Sequence, residues 1–184
     1  MKVERTAIAD VLVLEPKVFG DARGFFMETW NARSFESIGI KAQFVQDNHS
    51  RSSKNVLRGL HYQLRQPQGK LVRVTVGEIW DVAVDLRRAS PSFGRWAGTR
   101  LDAASHRMLW VPAGFAHGFI VLSELAEVQY KTTDYYAPEH ERTLLWNDPA
   151  LAIPWPLAGQ PAAQPVLSDK DRRGTPLARA ETFE

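Results

Sequence analysis

The strongest constraint on the fold is a repeated pattern of short apolar segments separated by turn-forming residues. Ten segments of four to eight residues are rich in Val, Ile, Phe, Trp and Tyr, and Gly, Pro, Asp and Asn occur between them. This pattern is typical of antiparallel sandwiches and barrels, so we expect an all-β fold. The predicted strands cover residues 11–16, 24–29, 44–50, 56–63, 70–76, 79–85, 96–101, 107–111, 118–121 and 126–133.

One short helix near the N-terminus and one tight turn add to this prediction. Asn31 is a suitable N-cap for a helix over residues 32–38, and Gly39 suits the C′ position that ends it. Gly77 and Glu78 separate two apolar segments, and this dipeptide predicts a hairpin between them.

The last part of the chain has a different composition. Five prolines lie between residues 149 and 165, and they exclude a long helix or a central strand there. We expect an irregular C-terminal layer over about 138–184, with a short helix, packed by Trp146 and Trp155 on a barrel core of about 8–137. At 184 residues and 44% hydrophobic, the chain is predicted to form a single domain over 1–184.

Composition excludes several classes of partner. The 23 basic and 21 acidic residues are evenly scattered, which argues against nucleic acid binding. No apolar stretch has the length of a membrane span, and no leader-like apolar segment follows the first charged residues. The absence of cysteine suits a reducing compartment, so a cytoplasmic location is expected.

Two segments, residues 58–63 and 112–117, resemble the paired histidine motifs of a cupin-type jelly-roll barrel. A metal-binding cupin needs a second histidine and a carboxylate in and just after the first motif, because a divalent cation requires several such ligands. Here Gln63 stands at the second histidine position, and Lys70 stands where the carboxylate is needed. We therefore expect no metal and no other cofactor, and a pocket that carries out proton chemistry.

Strand alternation predicts which polar side chains point into the barrel. Lys70 shares a strand face with Val72, and a buried lysine is costly unless it serves a function. Arg58 and His61 lie on opposite faces of a flat strand, so both reach one pocket only if Gly59 permits a bulge or a twist. The four candidates for a common interior are His61, Lys70, His117 and Tyr130.

Each candidate also has a simpler interpretation. A single interior histidine is more often a hydrogen-bonded core residue than a catalyst, and a tyrosine such as Tyr130 commonly packs in a core. Together, however, a base, a cation and a phenol form a set suited to removing a proton next to a carbonyl group.

Eight segments, in this order, resemble the dTDP-4-dehydrorhamnose 3,5-epimerase family of cupin-like enzymes. The resemblance implies an epimerase that inverts C3 and C5 of dTDP-4-dehydro-6-deoxy-D-glucose, giving dTDP-4-dehydro-L-rhamnose in dTDP-L-rhamnose biosynthesis. It covers nearly the whole chain. The segments are residues 19–26, 46–50, 57–63, 68–73, 81–85, 112–119, 130–136 and 167–171.

The resemblance implies a role for each matching residue. His61 corresponds to the proton acceptor, Tyr130 to the proton donor, and Lys70 to the cation that faces the keto oxygen. Asp171 corresponds to the carboxylate that orients the histidine, with Asp169 as the alternative.

The family also implies how substrate is bound. Tyr136 corresponds to the aromatic residue that stacks on thymine, and the family is a homodimer whose N-terminal residues complete the neighbouring site. The remaining implied contacts with the nucleotide-sugar are Arg23, Glu28, Gln46, Asn48, Arg58, His117, Glu141 and Lys170.

Three alternatives use parts of the same pattern. A 3- or 5-epimerase acting at one carbon of a related sugar would use the same residues. A metal-dependent cupin oxygenase or isomerase is opposed by Gln63 and Lys70. A noncatalytic sugar-binding module is opposed by the presence of both His61 and Tyr130.

Overall fold

The computed structural model describes residues 1–157 and 164–184. The helices in this part of the chain are α1 (Ala32–Glu36), α2 (Asp169–Arg172) and two single turns of 3₁₀ helix, Pro138–His140 and Leu177–Arg179. The strands are β1 (Lys2–Arg5), β2 (Leu12–Glu15), β3 (Val18–Asp21), β4 (Gly24–Met27), β5 (Gln46–Ser53), β6 (Leu57–Gln63), β7 (Lys70–Val76), β8 (Glu78–Asp85), β9 (Trp96–Asp102), β10 (Met108–Val111), β11 (Phe115–Val121), β12 (Leu125–Thr132) and β13 (Glu141–Thr143).

Two antiparallel sheets make up the barrel. The six-stranded sheet has the order β1-β2-β10-β7-β12-β5, and the five-stranded sheet has the order β13-β6-β11-β8-β9. Strands β3 and β4 form a separate hairpin. The predicted all-β class and cupin-type jelly roll are confirmed. No helix in the described ranges is long and apolar enough to cross a membrane.

The five-stranded sheet is apolar on both faces, and alternation along its strands explains why. In β8, Ile79 and Ala83 point into the core between the sheets, whereas Val82 and Val84 point to the other side. That other side is covered by the C-terminal layer, in which Trp146 and Trp155 are buried as predicted.

The outer face of the six-stranded sheet is covered in part by the segment that contains α1. Phe35 of this helix packs with Leu14, Leu71 and Met108. The helix is two residues shorter than predicted, because Ser37 and Ile38 already lie in a turn.

Gly39 closes this turn with a positive φ of 89°. Its N–H donates to the Glu36 carbonyl, and the Ile40 N–H donates to the Phe35 carbonyl. This is a Schellman arrangement, and Gly39 therefore has the C′ role that the sequence predicted.

The hairpin predicted at residues 77–78 is wrong. Strand β7 pairs with β10 and β12, whereas β8 pairs with β11 and β9, so the chain changes sheets at Gly77. Gly77 has a positive φ, and a Cβ atom there would lie 2.0 Å from the Leu125 carbonyl oxygen. Glycine is therefore needed here because the chain passes between the sheets at a crowded position with a positive φ. A hairpin turn requires glycine for the same reason, so the local sequence does not distinguish the two.

Each of the ten predicted strands has a counterpart, but three of the strands within the described residues were not predicted. They are β1, β3 and β13, and two of them extend the sheets beyond the expected barrel core of 8–137. Strand β13 pairs with β6, so the C-terminal layer is less irregular than expected. Residues 158–163 of that predicted layer lie outside the described residues.

Candidate active site

A cavity of about 330 Å³ opens between the two sheets and contains most of the predicted site residues. It is referred to below as the active-site cavity. Ten of the thirteen predicted residues line it, namely Gln46, Asn48, Arg58, His61, Lys70, His117, Tyr130, Tyr136, Glu141 and Lys170. Ser50, Gln68 and Phe119 complete the lining.

A β-bulge in β6 explains how Arg58 and His61 both reach this cavity. His61 is opposite His117 in the register with β11, and Arg58 is opposite Phe119. Two residues of β6, Gly59 and Leu60, therefore face a single residue of β11. The extra residue reverses the alternation, so that Arg58 and His61 point the same way.

His61 is paired with a buried carboxylate. Its Nε2 lies 2.6 Å from Asp171 Oδ1, and Asp171 is 3% exposed. Burial lowers the pKa of His61 below its usual value and outweighs the opposing effect of Asp171. At neutral pH the imidazole is therefore uncharged, donates Nε2–H to Asp171, and keeps a lone pair on Nδ1 that can accept a proton.

The carboxylate partner is held by its local structure. Ser168 Oγ caps α2 by accepting from the Asp171 N–H, and it donates to Asp171 Oδ2 at 2.7 Å. Burial opposes ionisation of Asp171, but the hydrogen bonds from His61 and Ser168 keep its pKa below the usual value. Asp169, the alternative partner, is exposed and lies 3.6 Å from Arg172.

Lys70 begins β7 on the wall opposite to His61. The side chain is buried, and burial lowers its pKa to about 8, although Glu141 and Asp81 act in the opposite direction. Its ammonium group is thus charged at neutral pH and poorly hydrated, the condition in which a cation stabilises a developing anion strongly.

Tyr130 lies on β12, directly opposite Val72 of β7 in the sheet register. Burial raises its pKa, while the nearby Arg58 acts against this rise. The phenol is therefore protonated at neutral pH and available as a proton donor.

His117 also has a carboxylate partner, which sequence reasoning missed. Its Nε2 lies 2.7 Å from Asp81 Oδ1, and Asp81 is fully buried on β8. Asp81 Oδ2 has no hydrogen-bond partner within the described ranges. The signal was present, because Asp81 interrupts an otherwise apolar strand and aligns with the inward-facing Ile79 and Ala83.

The rim of the cavity carries a linked set of polar groups. Lys170 Nζ binds both oxygens of Glu141, at 2.8 and 2.9 Å. The Tyr136 hydroxyl donates to Glu141 Oε2 at 3.1 Å. Glu141 thus holds the Tyr136 ring and the Lys170 ammonium group next to each other at the rim of the active-site cavity.

Two predicted binding residues lie elsewhere in this chain. Arg23 is exposed at the tip of the β3–β4 hairpin and pairs with Asp21. Glu28 accepts hydrogen bonds from Asn31 and Ser34 at the start of α1. Neither residue lines the active-site cavity of its own chain.

The side chain of Gln63, the residue expected at a cupin metal-ligand position, is hydrogen-bonded to backbone groups. Its amide binds the backbone of Gln66, Tyr135 and Ala137. Within residues 1–157 and 164–184, no group of three or more His, Cys, Asp or Glu side chains has an arrangement that could hold a metal ion.

Ser50 and Gln68 line the cavity and were not predicted as site residues. Ser50 could have been found by alternation, because it follows Gln46 and Asn48 at two-residue intervals along β5. Gln68 lies in a connection between strands, where no periodic pattern exists.

The fold and the cavity together define a class of protein. A cupin-type barrel here encloses an uncharged histidine with a carboxylate partner, a buried ammonium group and a protonated phenol, groups that suit acid–base chemistry. A family model described as dTDP-4-dehydrorhamnose 3,5-epimerase matches residues 5–179. The chain belongs to this family.

Similar proteins support this assignment over the full length. A dTDP-4-dehydrorhamnose 3,5-epimerase of Pseudomonas aeruginosa is 62% identical over 184 residues, which are 100% of this chain and 99% of the relative. A Legionella pneumophila 3,5-epimerase, solved in complex with dTDP-4-keto-L-rhamnose, has 51% identity and a TM-score of 0.93, and the match covers 98% of this chain and 94% of that one. A Bacillus anthracis dTDP-4-dehydrorhamnose 3,5-epimerase, solved with TDP and PPi bound, has 47% identity and a TM-score of 0.89 and covers 95% and 98% of the two chains.

Proposed function

We propose that this protein is an epimerase that inverts C3 and C5 of dTDP-4-dehydro-6-deoxy-D-glucose to give dTDP-4-dehydro-L-rhamnose, a step of dTDP-L-rhamnose biosynthesis. One observation carries the proposal. His61 lies on the five-stranded sheet and Tyr130 on the six-stranded sheet, so a base and an acid face each other across one cavity. A carbon is inverted when its proton is removed from one face of the sugar ring and a proton is returned to the other face, which a base and an acid on opposite sides can do.

The first step is proton removal next to the C4 ketone. His61 Nδ1 accepts the proton from C3 or C5, the carbon–hydrogen bond breaks, and its electron pair moves onto O4 to give an enolate. Asp171 stabilises the imidazolium that forms. Lys70, charged and buried, stabilises the negative charge on O4 as it develops.

The second step is proton delivery from the other sheet. The Tyr130 hydroxyl transfers its proton to the same carbon from the face opposite to His61, and the enolate returns to the ketone with inverted configuration. Solvent then reprotonates the phenolate and removes the proton from His61. The same two steps at the second carbon complete the reaction.

Binding of the nucleotide depends on groups around the cavity. Arg58 and Lys170 provide positive charge for the diphosphate, and arginine can bind phosphate oxygens through two parallel hydrogen bonds. Tyr136 presents a half-exposed ring at the rim for stacking on the thymine base. His117, Gln46 and Asn48 supply polar contacts to the sugar and nucleotide.

We further propose a homodimer in which the β3–β4 hairpin of one subunit completes the site of the other. Phe25 and Phe26 of this hairpin are 61% and 71% exposed, which is unfavourable for a hairpin left in water. A groove of about 300 Å³ lies over β5, β7 and β12. Its lining includes Asn48 and Tyr130, so a hairpin from the partner seated there would bring its Arg23 and Glu28 to the cavity.

The direct test is NMR of dTDP-4-dehydro-6-deoxy-D-glucose incubated with the protein in D₂O. We expect deuterium at both C3 and C5 and formation of the doubly inverted product. His61→Asn should fold normally and lose deuterium uptake at both carbons. Uptake at a single carbon would instead support the single-carbon epimerase, and rapid uptake by His61→Asn would reject the assigned base.

A further inference from the structure

Gln63 is a buried glutamine whose side chain hydrogen-bonds only to backbone groups, two of them in the loop of residues 134–137. Its Nε2 donates to the carbonyl oxygens of Gln66 at 2.8 Å and Tyr135 at 3.1 Å, and its Oε1 accepts from the Ala137 N–H at 3.0 Å. Both amide hydrogens are therefore used, and the residue is 4% exposed. Two of these three bonds hold the residues on either side of Tyr136.

Two more glutamines bind the same loop. Gln46 Oε1 accepts from the Tyr136 N–H at 3.0 Å, and Gln68 Nε2 donates to the Asp134 carbonyl at 2.9 Å. The backbone of residues 134–137 is thus held by side chains rather than by a strand ladder. Gln63 makes two of these four hydrogen bonds to residues 134–137, whereas Gln46 and Gln68 make one each. It is also the most deeply buried of the three glutamines.

The ring of Tyr136 needs such support because packing does not fix it. The residue is 51% exposed, and its hydroxyl makes one hydrogen bond, to Glu141. A stacking platform increases affinity only when its orientation is set before the ligand arrives, since ordering it on binding costs free energy.

We propose that Gln63 is a positioning residue that fixes Tyr136 for stacking against the base of the bound nucleotide. The inference rests on the proposed nucleotide-sugar substrate and extends it. Gln63 touches neither the sugar nor the phosphates in this role and acts only through Tyr136.

The test compares two probes in calorimetric titrations. One probe is dTDP, which carries the base, and the other is inorganic pyrophosphate, which does not. Gln63→Met keeps the side-chain volume and removes all three hydrogen bonds, so it should bind dTDP about tenfold more weakly. Its affinity for pyrophosphate should stay within about twofold of the wild-type value, a change below 0.5 kcal/mol.

Gln66→Met is the matched control. It removes a glutamine side chain that bonds Asp134 of the same loop at 3.3 Å, but from an exposed position. Its affinities for both probes should match those of the wild type within about twofold. If Gln63→Met does not fold, Gln63→Glu carries the same comparison, because it retains the acceptor for Ala137 and loses the two donors.

A double-mutant cycle separates positioning from general stability. In a Tyr136→Ala background, Gln63→Met should cause no further loss of dTDP affinity, because the ring through which Gln63 acts is gone. An equal loss in both backgrounds, an equal loss for both probes, or unchanged dTDP binding by Gln63→Met would each overturn the proposal. Wild-type protein that binds pyrophosphate but not dTDP would instead reject the proposed function itself, and this inference with it.

Discussion

At the scale of single residues, the proposed site depends on a partly buried histidine and a buried lysine that differ in charge state. His61 is kept uncharged by burial, and Lys70 stays charged despite burial. A buried ammonium group is costly to the folded state and useful to the reaction for the same reason, namely that water does not compete for its charge.

Lys70→Met should therefore have opposite effects on activity and stability. We expect kcat to fall by about 10²- to 10³-fold with a much smaller change in KM, because the charge acts in the transition state. The free energy of unfolding at pH 7 should rise by up to about 3 kcal/mol, since the charged lysine is no longer buried. Steady-state kinetics and urea denaturation measure the two effects, and a large KM effect with kcat retained would contradict the assigned role.

The pH dependence of stability follows from the same residue. Because the pKa of Lys70 is about 8 in the folded state and has its ordinary value of 10.5 in the unfolded chain, the unfolded chain binds more protons between these values. Stability should thus gain a rising contribution from pH 8 to 10.5, and this contribution should be absent from Lys70→Met. An identical pH dependence of urea midpoints for the two proteins would show that Lys70 is hydrated in the folded state.

The pH dependence of activity should report both residues. The value of kcat/KM should remain high somewhat below pH 6.5, because the pKa of His61 is lowered, and fall above about pH 8 as Lys70 loses its proton. The residual activity of Lys70→Met should lack the alkaline fall. A wild-type profile that stays flat to pH 10 would contradict the requirement for a charged Lys70.

Sequence reasoning reached part of this residue-level description. Alternation placed Lys70 and Tyr130 on inward faces, because each strand was assigned correctly. It could not pair His61 with Asp171, since 110 residues separate them and no local pattern connects them. That pairing was expected only from the family resemblance.

At the scale of elements, the bulge in β6 is the feature on which the site geometry depends. Gly59 and Gly118 approach closely there, and a Cβ atom on Gly118 would lie 2.6 Å from the Arg58 carbonyl oxygen. The sequence could suggest a bulge at Gly59, but not establish it, because register is fixed by the partner strand. The position of the bulge is therefore determined by the pairing of β6 with β11 and not by the sequence of β6 alone.

Gly118→Ala tests this element. The added methyl group must displace the backbone of Arg58 or Gly59, so the free energy of unfolding should fall by about 1–3 kcal/mol. Activity should fall even at temperatures where Gly118→Ala remains fully folded, because Arg58 and His61 would no longer point into one cavity. Gly20→Ala, where the nearest atom would be an ordinary 3.7 Å away, serves as the control for stability. Equal stability of the two variants would contradict the importance of the close approach.

At the scale of the whole molecule, the proposed base and acid lie on the two facing sheets, whereas the exposed β3–β4 hairpin belongs to neither sheet. The jelly roll was predictable because its strands alternate regularly. The placement of Arg23 outside its own chain's cavity was implied only by the family resemblance, since the short strands of the β3–β4 hairpin carry no periodic signal that would show it. In the proposed homodimer, Arg23 and Glu28 would act in the site of the neighbouring subunit.

Mixed dimers test the shared site. Arg23→Ala and His61→Asn should each be impaired alone, whereas coexpression should restore activity, because one of the two sites in a mixed dimer would then carry neither change. With random pairing, about a quarter of all sites should be intact. Coexpression that restores nothing, although mixed dimers form, would place Arg23 in its own chain's site or outside the reaction.

The central claim is that a base and an acid act from facing sheets, and Tyr130→Phe tests it most directly. Loss of the hydroxyl leaves His61, Asp171 and Lys70 in place, so proton removal should continue while delivery from the opposite face fails. NMR in D₂O should show continued deuterium uptake into the sugar, with inversion slowed by about 10²-fold or more at the carbon that depends on this donor. Complete inversion of both carbons by Tyr130→Phe at the wild-type rate would contradict the account.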